Sequence, residues 1–370
     1  MAINTSLSSP TRYTLIRGCS LLSDRRMPTR YYIGTSERVA AVTTAYQRTA
    51  LSQLAFGVDP LSQVSPDVRI ELEEFIENLA IHGFLNTKHT QLSAPRRYFD
   101  SVSESDLAAQ HLRLRSEPEL AQSEWVDGAA DGGSSIVAAR SQYPIVLSGR
   151  SRVITLLYSI LLASGVSRVR FADRHHRAMV ESADTGFGAI GHDDLGRNFY
   201  ELCESARRGL SLFPIEPSSR YDLETVTPTA IVHYGDCDPE NLLEWSNKRL
   251  PHLLIHKPIG DEIAIGPMVI PGESPCLRCL SLYEIDNFGF TRLERIPLNE
   301  VGELPTYVAH HVAAIAALHI LHFIDRASDS TYGGRTRNMS IGEVSFLNFQ
   351  RLTEPQVVAI ARHPLCGCAY

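Results

Sequence analysis

The stretch beginning at Tyr143, YPIVLSGRSRVITLLYSILLASGVSRVRFADR, constrains the fold more than any other part of the chain. A short apolar run stops at Gly149, an apolar segment of helical length reaches about Ala163, and a second short run ends at Asp173. Strand, turn, helix and strand in that order make a βαβ unit of the Rossmann kind, which commits the chain to a sheet with parallel strands. In such a unit the helix N-terminus faces phosphate, and an acidic residue closing the second strand holds ribose hydroxyls. Asp173 stands in that position. Laid over the turn, the glycine motif falls on Gly149, Ser151 and Ile154, so only its first position is glycine. Arg150 and Arg152 flank Ser151, and guanidinium groups there can contact phosphate in place of the lost backbone amides. Gly149, Arg150, Ser151, Arg152 and Asp173 are therefore the nucleotide-binding candidates. A structural crossover that binds nothing is the alternative reading of the same unit.

Four of the seven cysteines stand as two close pairs, Cys276/Cys279 in CLRC and Cys366/Cys368 in CGC. In a reducing cytosol such pairs favour metal ligation over disulfides. Four thiolates suit tetrahedral Zn²⁺ in a closed structural site, which would staple the later pair back onto the domain. His363 is an alternative ligand, although a capping or surface role is the default for a lone histidine. Cys237 lies between Asp236 and Asp238, and adjacent carboxylates raise a thiol's pKa and blunt its nucleophilicity. Cys19 and Cys203 read as core or edge residues.

Upstream, residues 12 to 34 alternate apolar and polar positions around Gly18 and the Ser23-Asp24-Arg25-Arg26 break, which predicts a small antiparallel hairpin set. Helical spacing follows over Arg38 to Phe56 and over Asp67 to Ile81. Hairpins, two helices and a short extension predict a winged helix-turn-helix. Its second helix carries Glu71, Glu73, Glu74 and Glu77, which argues against phosphate contact, and a net charge of -7 gives no reason to expect DNA, RNA or an anionic membrane as partner. The same fold can instead accept a peptide as an added strand at its sheet edge. Residues 1 to 18 have neither the charged start nor the continuous apolar core of a secretory signal, so a cytoplasmic protein is expected. The apolar run Tyr307 to Ile324 contains His310, His311, His319 and His322 and reads as a core helix, its histidines structural.

The expected architecture is α/β. A winged helix-turn-helix covers 1–88, a linker with at least one helix near Asp106 to Leu114 covers 89–141, and a Rossmann-like domain with a four-cysteine zinc site covers 142–370.

The order VLSG, LLASGVSRVRFAD, DDLG, YGDCDPENLLEWSN and GPMVIPGESPCLRCL resembles the ThiF and MoeB adenylating family over residues 143 to 370. It is most similar to the peptide-modifying branch, which includes the microcin C-type adenylating enzyme and the cyclodehydratase-associated proteins of azole-containing peptides. The resemblance implies an ATP and Mg²⁺ site where an Arg and a Lys contact the phosphates and an Asp holds magnesium. The Lys position falls on Phe199, and the Arg position falls near Gly186, leaving Arg197 as the substitute. The magnesium position falls on Asp236, with Asp238 in reserve, so Asp236 and Arg197 are the catalytic candidates. Members usually have two CxxC pairs, whereas the second pair here is CxC. The resemblance further implies a homodimer, an N-terminal winged helix that binds the leader of a precursor peptide, and an irregular segment, Glu284 to Leu304, over the substrate's reactive end.

Three functions follow. The first is an ATP-dependent enzyme that activates a carboxylate or amide of a ribosomally made precursor peptide by adenylation or phosphorylation, leading to dehydrative cyclisation in antibiotic biosynthesis. The second is a nucleotide-inert scaffold that binds the leader and presents the peptide to a separate cyclodehydratase. The third, a sulfur-carrier or cofactor-pathway adenylating enzyme, has no use for the N-terminal domain. The enzyme is placed first because Asp173, Asp236 and the two turn arginines persist beside a complete recognition domain.

Overall fold

The computed structural model describes residues 13–34, 39–62, 64–86, 111–112, 114–120, 131–172, 178–185, 190–213, 226–296, 298, 303–328 and 341–368. The chain divides into two compact units between Ala138 and Ala139.

In the first unit, β1 (Thr14–Leu15) is followed by an antiparallel sheet of β2 (Leu21–Ser23), β3 (Tyr31–Gly34) and β4 (Val39–Val42). The β2–β3 reversal starts at Asp24, whose carboxylate accepts the N–H groups of Arg26 and Met27 at 2.8 and 3.3 Å, as expected of an Asx turn. The helix anticipated from Arg38 begins later, as α1 (Ala45–Ala55). Val39 to Val42 pair with β3 instead, and a capping box fixes the start: Thr44 Oγ1 accepts the Gln47 N–H at 3.2 Å while Gln47 Oε1 accepts the Thr44 N–H at 3.4 Å. The second helix, α2 (Pro66–Ile81), opens on a proline that needs no intrahelical donor, and β5 (Leu85–Asn86) returns antiparallel to β1. Ile16, Ile33, Val42, Leu54, Phe75, Leu79 and Phe84 form the core of this unit.

The second unit is built on a seven-stranded sheet of β6 (Ile145–Ser148), β7 (Val169–Phe171), β8 (Ala230–Tyr234), β9 (His252–Ile255), β10 (Glu262–Val269), β11 (Glu343–Asn348) and β12 (Gln356–Ala359), in the order β12-β11-β10-β9-β8-β6-β7. The pairs β7/β6, β6/β8 and β8/β9 are parallel, and the pairs from β9 to β12 are antiparallel. Every residue of β6 and β9 is buried, as continuous apolar runs covered on both faces require. Preceding β6 lies α3 (Ser134–Arg140), and α4 (Arg152–Ala163) connects β6 to β7. Because β7 lies on one side of β6 and β8 on the other, the sheet has its topological switch point at the carboxyl ends of β6 and β8. Open α/β sheets bind ligands in that crevice.

Further α-helices of the second unit are α5 (Phe199–Leu210), α6 (Pro239–Asn247), α7 (Leu277–Phe288) and α8 (Thr306–Ser328). Though long and apolar enough to cross a membrane, α8 packs against α4 and buries Val308, Val312, Ala316, Ile320 and Ile324 in the core. Burial holds His319 neutral, its pKa pushed down to about 4. Arg140 closes this core by a two-pronged pair with Asp325 at 2.7 and 2.8 Å. The segment from Glu284, expected to be irregular, is helical to Phe288, and the loop starts at Gly289. Glu284 is buried and accepts the Thr291 hydroxyl at 2.9 Å, the Arg292 N–H at 3.0 Å and the Arg292 guanidinium, which fastens the loop onto α7.

Candidate functional site

At the end of β6 the chain turns through Gly149, whose φ is +89° and whose Cα faces β8 so closely that a Cβ would lie 2.3 Å from the Tyr234 oxygen. The surviving glycine of the motif is therefore required by strand-to-strand approach. Ser151, buried, is the N-cap of α4, its hydroxyl accepting the Ile154 N–H at 3.3 Å. The two arginines, expected to be presented to phosphate, are directed at protein groups. Arg150 pairs with Asp184 and with Glu181 at 3.1 Å and donates to the Met179 oxygen at 2.5 Å. Arg152 donates to the oxygens of Ala183 at 2.6 Å and Leu304 at 3.2 Å. The helix N-terminus itself is met by a carboxylate, since the Arg152 N–H donates to Glu303 Oε2 at 3.2 Å. An internal anion thus sits where a phosphate would be held. Asp173 lies outside the described residues.

Burial raises the pKa of Glu303, more than its bond from Arg152 lowers it. A carboxyl whose folded pKa is raised favours folding least once it is ionised: the unfolded chain loses its proton first, at about pH 4.3, and stability falls as pH rises from there through the folded pKa. Glu303→Gln, which can still accept the Arg152 N–H, is expected to melt higher than the wild type at pH 7, with the advantage shrinking as pH drops below the usual glutamate value. Parallel curves at all pH values would refute this.

Asp236, the magnesium candidate, lies one residue past β8, after Gly235. His233 donates from Nε2 to the Asp236 main-chain oxygen at 3.1 Å, which leaves Nδ1 to accept the Ser148 hydroxyl at 3.1 Å and links the ends of β8 and β6. The carboxylate is gripped by Arg295, one contact to each oxygen at 3.0 Å, and lies 3.2 Å from the Lys257 ammonium. The Arg295 guanidinium, with Lys257 beside it, holds the Asp236 carboxyl below the usual carboxylate range. Next to Lys257, His256 donates to the Gly266 oxygen at 3.1 Å, and burial pushes its pKa down to about 3. Lys257 and Arg295 were not singled out in the sequence. Lys257 sits just past the apolar run of β9 and becomes noticeable only once β9 is known to border β8, whereas Arg295 belongs to no motif.

Arg197 is exposed and pairs with Asp194 at 2.7 Å, while its main-chain oxygen accepts the Val180 N–H at 2.9 Å. Phe199, in the position of the phosphate-contacting lysine, is buried at the start of α5 and meets the Phe171 ring edge-on at 5.4 Å between centroids. A core aromatic stands where the resemblance led one to expect a charge. Arg150, Arg152 and Arg197 are each held by acids or carbonyls of the protein.

Cys276, Cys279, Cys366 and Cys368 converge, with all four sulfurs within 4.8 Å of one another. The separations are 3.9 Å for Cys276/Cys279, 3.3 Å for Cys276/Cys366 and 3.4 Å for Cys279/Cys368. Zn–S bonds of about 2.3 Å in a tetrahedron put sulfurs about 3.8 Å apart, so the group fits Zn²⁺. The CxC spacing works because Gly367 adopts φ +75°, turning both flanking thiols to one side. The His363 ring is directed elsewhere, to Asp286 at 2.9 Å and the Leu365 N–H at 3.2 Å, but its backbone N–H donates to Cys279 Sγ at 3.3 Å. Burial opposes ionisation of Cys279, yet that bond and the Cys276 backbone bring its thiol down to about 7. Cys237, outside this group, packs against the buried cluster of Val146, Ile231, Trp245 and Leu250.

No protein-family model matches the chain, and no curated protein does. Among solved structures, the chain is similar to E. coli MccB bound to MccA-N7isoASN, with a TM-score of 0.61 and 15% identity over 97% of this chain and 99% of that one. Similarity is nearly the same to MccB with ATP (TM-score 0.60, 15% identity, 97% and 99% covered) and, described as the microcin C7 biosynthetic enzyme, with N-formylated MccA (TM-score 0.59, 14% identity, 97% and 99% covered). PaaA, covered to 99% by 93% of this chain at 15% identity, has a TM-score of 0.60. The chain therefore has the fold of these proteins over nearly its whole length, as its motif order led one to expect.

Proposed function

We propose that this chain acts in the ATP-dependent modification of a ribosomally made precursor peptide, in peptide antibiotic biosynthesis, and that its N-terminal unit binds the leader. The observation that carries this reading is the end-to-end likeness, N-terminal unit included, to a fold solved both with a peptide and with ATP. The first unit supports it, since β2 pairs only with β3 among the described strands and presents Leu21 and Leu22 about half exposed, an edge able to accept a peptide strand. We read this unit as a winged helix-turn-helix. A homodimer fits as well, because the solvent face of α8 exposes Tyr307 and Leu318.

Where the ATP is spent separates two versions. In the first, this chain uses it, with Asp236 on the metal and Arg197 on the phosphates. The second, in which the chain is a nucleotide-inert scaffold that delivers the peptide to a separate cyclodehydratase, is favoured by the carboxylate of Glu303 at the α4 N-terminus and by the acids that hold Arg150. The test is ATP consumption by the purified protein with its precursor peptide, read beside peptide affinity and peptide mass. Tight leader-dependent binding without turnover is the expected result. Peptide-dependent turnover with loss of water, abolished in Asp236→Ala, would establish the first version, and absence of both binding and turnover would sink the proposal.

A further inference from the structure

The ion group at the switch point is asymmetric in its exposure. The Arg295 side chain is 17% exposed and that of Lys257 35%, whereas that of Asp236 is 58% exposed. The cations are thus the anchored members and the carboxylate the one on the solvent side. Arg295 is further fixed because its loop is tied to buried Glu284 through Thr291 and Arg292. Its two nitrogens meet two oxygens at 3.0 Å each, the fork geometry by which a guanidinium recognises carboxylate or phosphate. Releasing a half-exposed carboxylate to water costs little, whereas withdrawing the more deeply set arginine would cost more.

We propose that Lys257 and Arg295 form a receptor for an oxyanion of the substrate, and that Asp236 is the internal stand-in which that oxyanion displaces. The ligand is a phosphate of a nucleotide or a carboxylate of the peptide, two sources of one chemistry. The inference rests on the proposed reading that this chain binds a precursor peptide, and places the peptide or its nucleotide in this crevice. It gives Asp236 the opposite role from that of a metal ligand, since Asp236 competes with the bound anion.

The test is calorimetric titration of the full-length protein in EDTA with sodium pyrophosphate and, separately, with succinate. Asp236→Asn, nearly isosteric at a half-exposed position, is expected to bind one of the two about tenfold tighter than the wild type, a change of about 1.4 kcal/mol. Adding Arg295→Ala or Lys257→Ala to that variant is expected to remove the gain, with melting curves confirming the fold of each. A gain with pyrophosphate alone identifies the nucleotide as the source, and a gain with succinate alone identifies the peptide. If Asp236→Asn binds both anions no more tightly than the wild type does, or if its gain survives removal of Arg295 and of Lys257, the receptor is refuted. No peptide or enzyme turnover enters this titration, so failure of the proposed function would show in the peptide assay and leave these outcomes untouched.

Discussion

Cys279→Ser is expected to lose the bound metal and to melt about 10 °C or more below the wild type. The sulfur removed is fully buried and within 4 Å of two others, and serine offers no thiolate to a soft metal site. The magnitude follows from the coupling of metal binding to folding. A structural Zn²⁺ held only by the folded chain contributes its binding free energy, about 10–16 kcal/mol in small zinc peptides, and removing one of four thiolates forfeits several kcal/mol of it. For a unit of roughly this size each kcal/mol moves the midpoint by about 2–4 °C. Elemental analysis of the wild-type protein should find one zinc per chain, and a strong chelator should reproduce the mutant's melting curve. A wild type purified without metal, or a mutant that melts with it, would show that the four thiols pack without an ion.

Gly149→Ala is expected to abolish the soluble, folded protein. The new methyl group would lie 2.3 Å from a backbone oxygen of β8, at a φ of +89° that alanine resists on its own. Neither β6 nor β8 can retreat, since both are buried central strands of the parallel half of the sheet. The cost should exceed about 4 kcal/mol, the range reserved for disruptions of the core backbone. Soluble yield and thermal unfolding give the answer. A Gly149→Ala protein of near wild-type stability would mean that the two strand ends part easily, and the turn would again be open as a ligand contact.

Much of the fold was legible because its signals are local. The apolar run, Gly149 and the helical segment gave β6 and α4, and the helix ends at Ala163, as its apolar run suggested. CLRC and CGC gave the cysteine group because thiol pairs have few other uses in such spacing. Local signals failed where a longer-range contact decided the matter. Val39 to Val42 carry apolar residues that suit a helix face, but pairing with β3 makes them a strand. Glu284 reads as the start of a loop, yet its burial under Arg292 carries α7 four residues further. The charged site was the least legible. Whether Arg150 is offered to a ligand depends on Asp184, 34 residues on, and the partner of Asp236 is 59 residues on. No spacing rule links such positions, so the turn arginines looked available and the pair formed by Lys257 and Arg295 went unnoticed.

The cysteine group also sets an order of events during synthesis. Strands β6 to β9 and α4 need only their own residues to begin pairing as they leave the ribosome, whereas two of the four thiols follow after β11 and β12. Until then Cys276 and Cys279 form an incomplete ligand pair on a helix start that is still open to other soft metals or oxidants. The antiparallel half of the sheet, which brings the later pair back, would thereby act as a timer: an ion bound there would lock only a chain whose strands had already found their places.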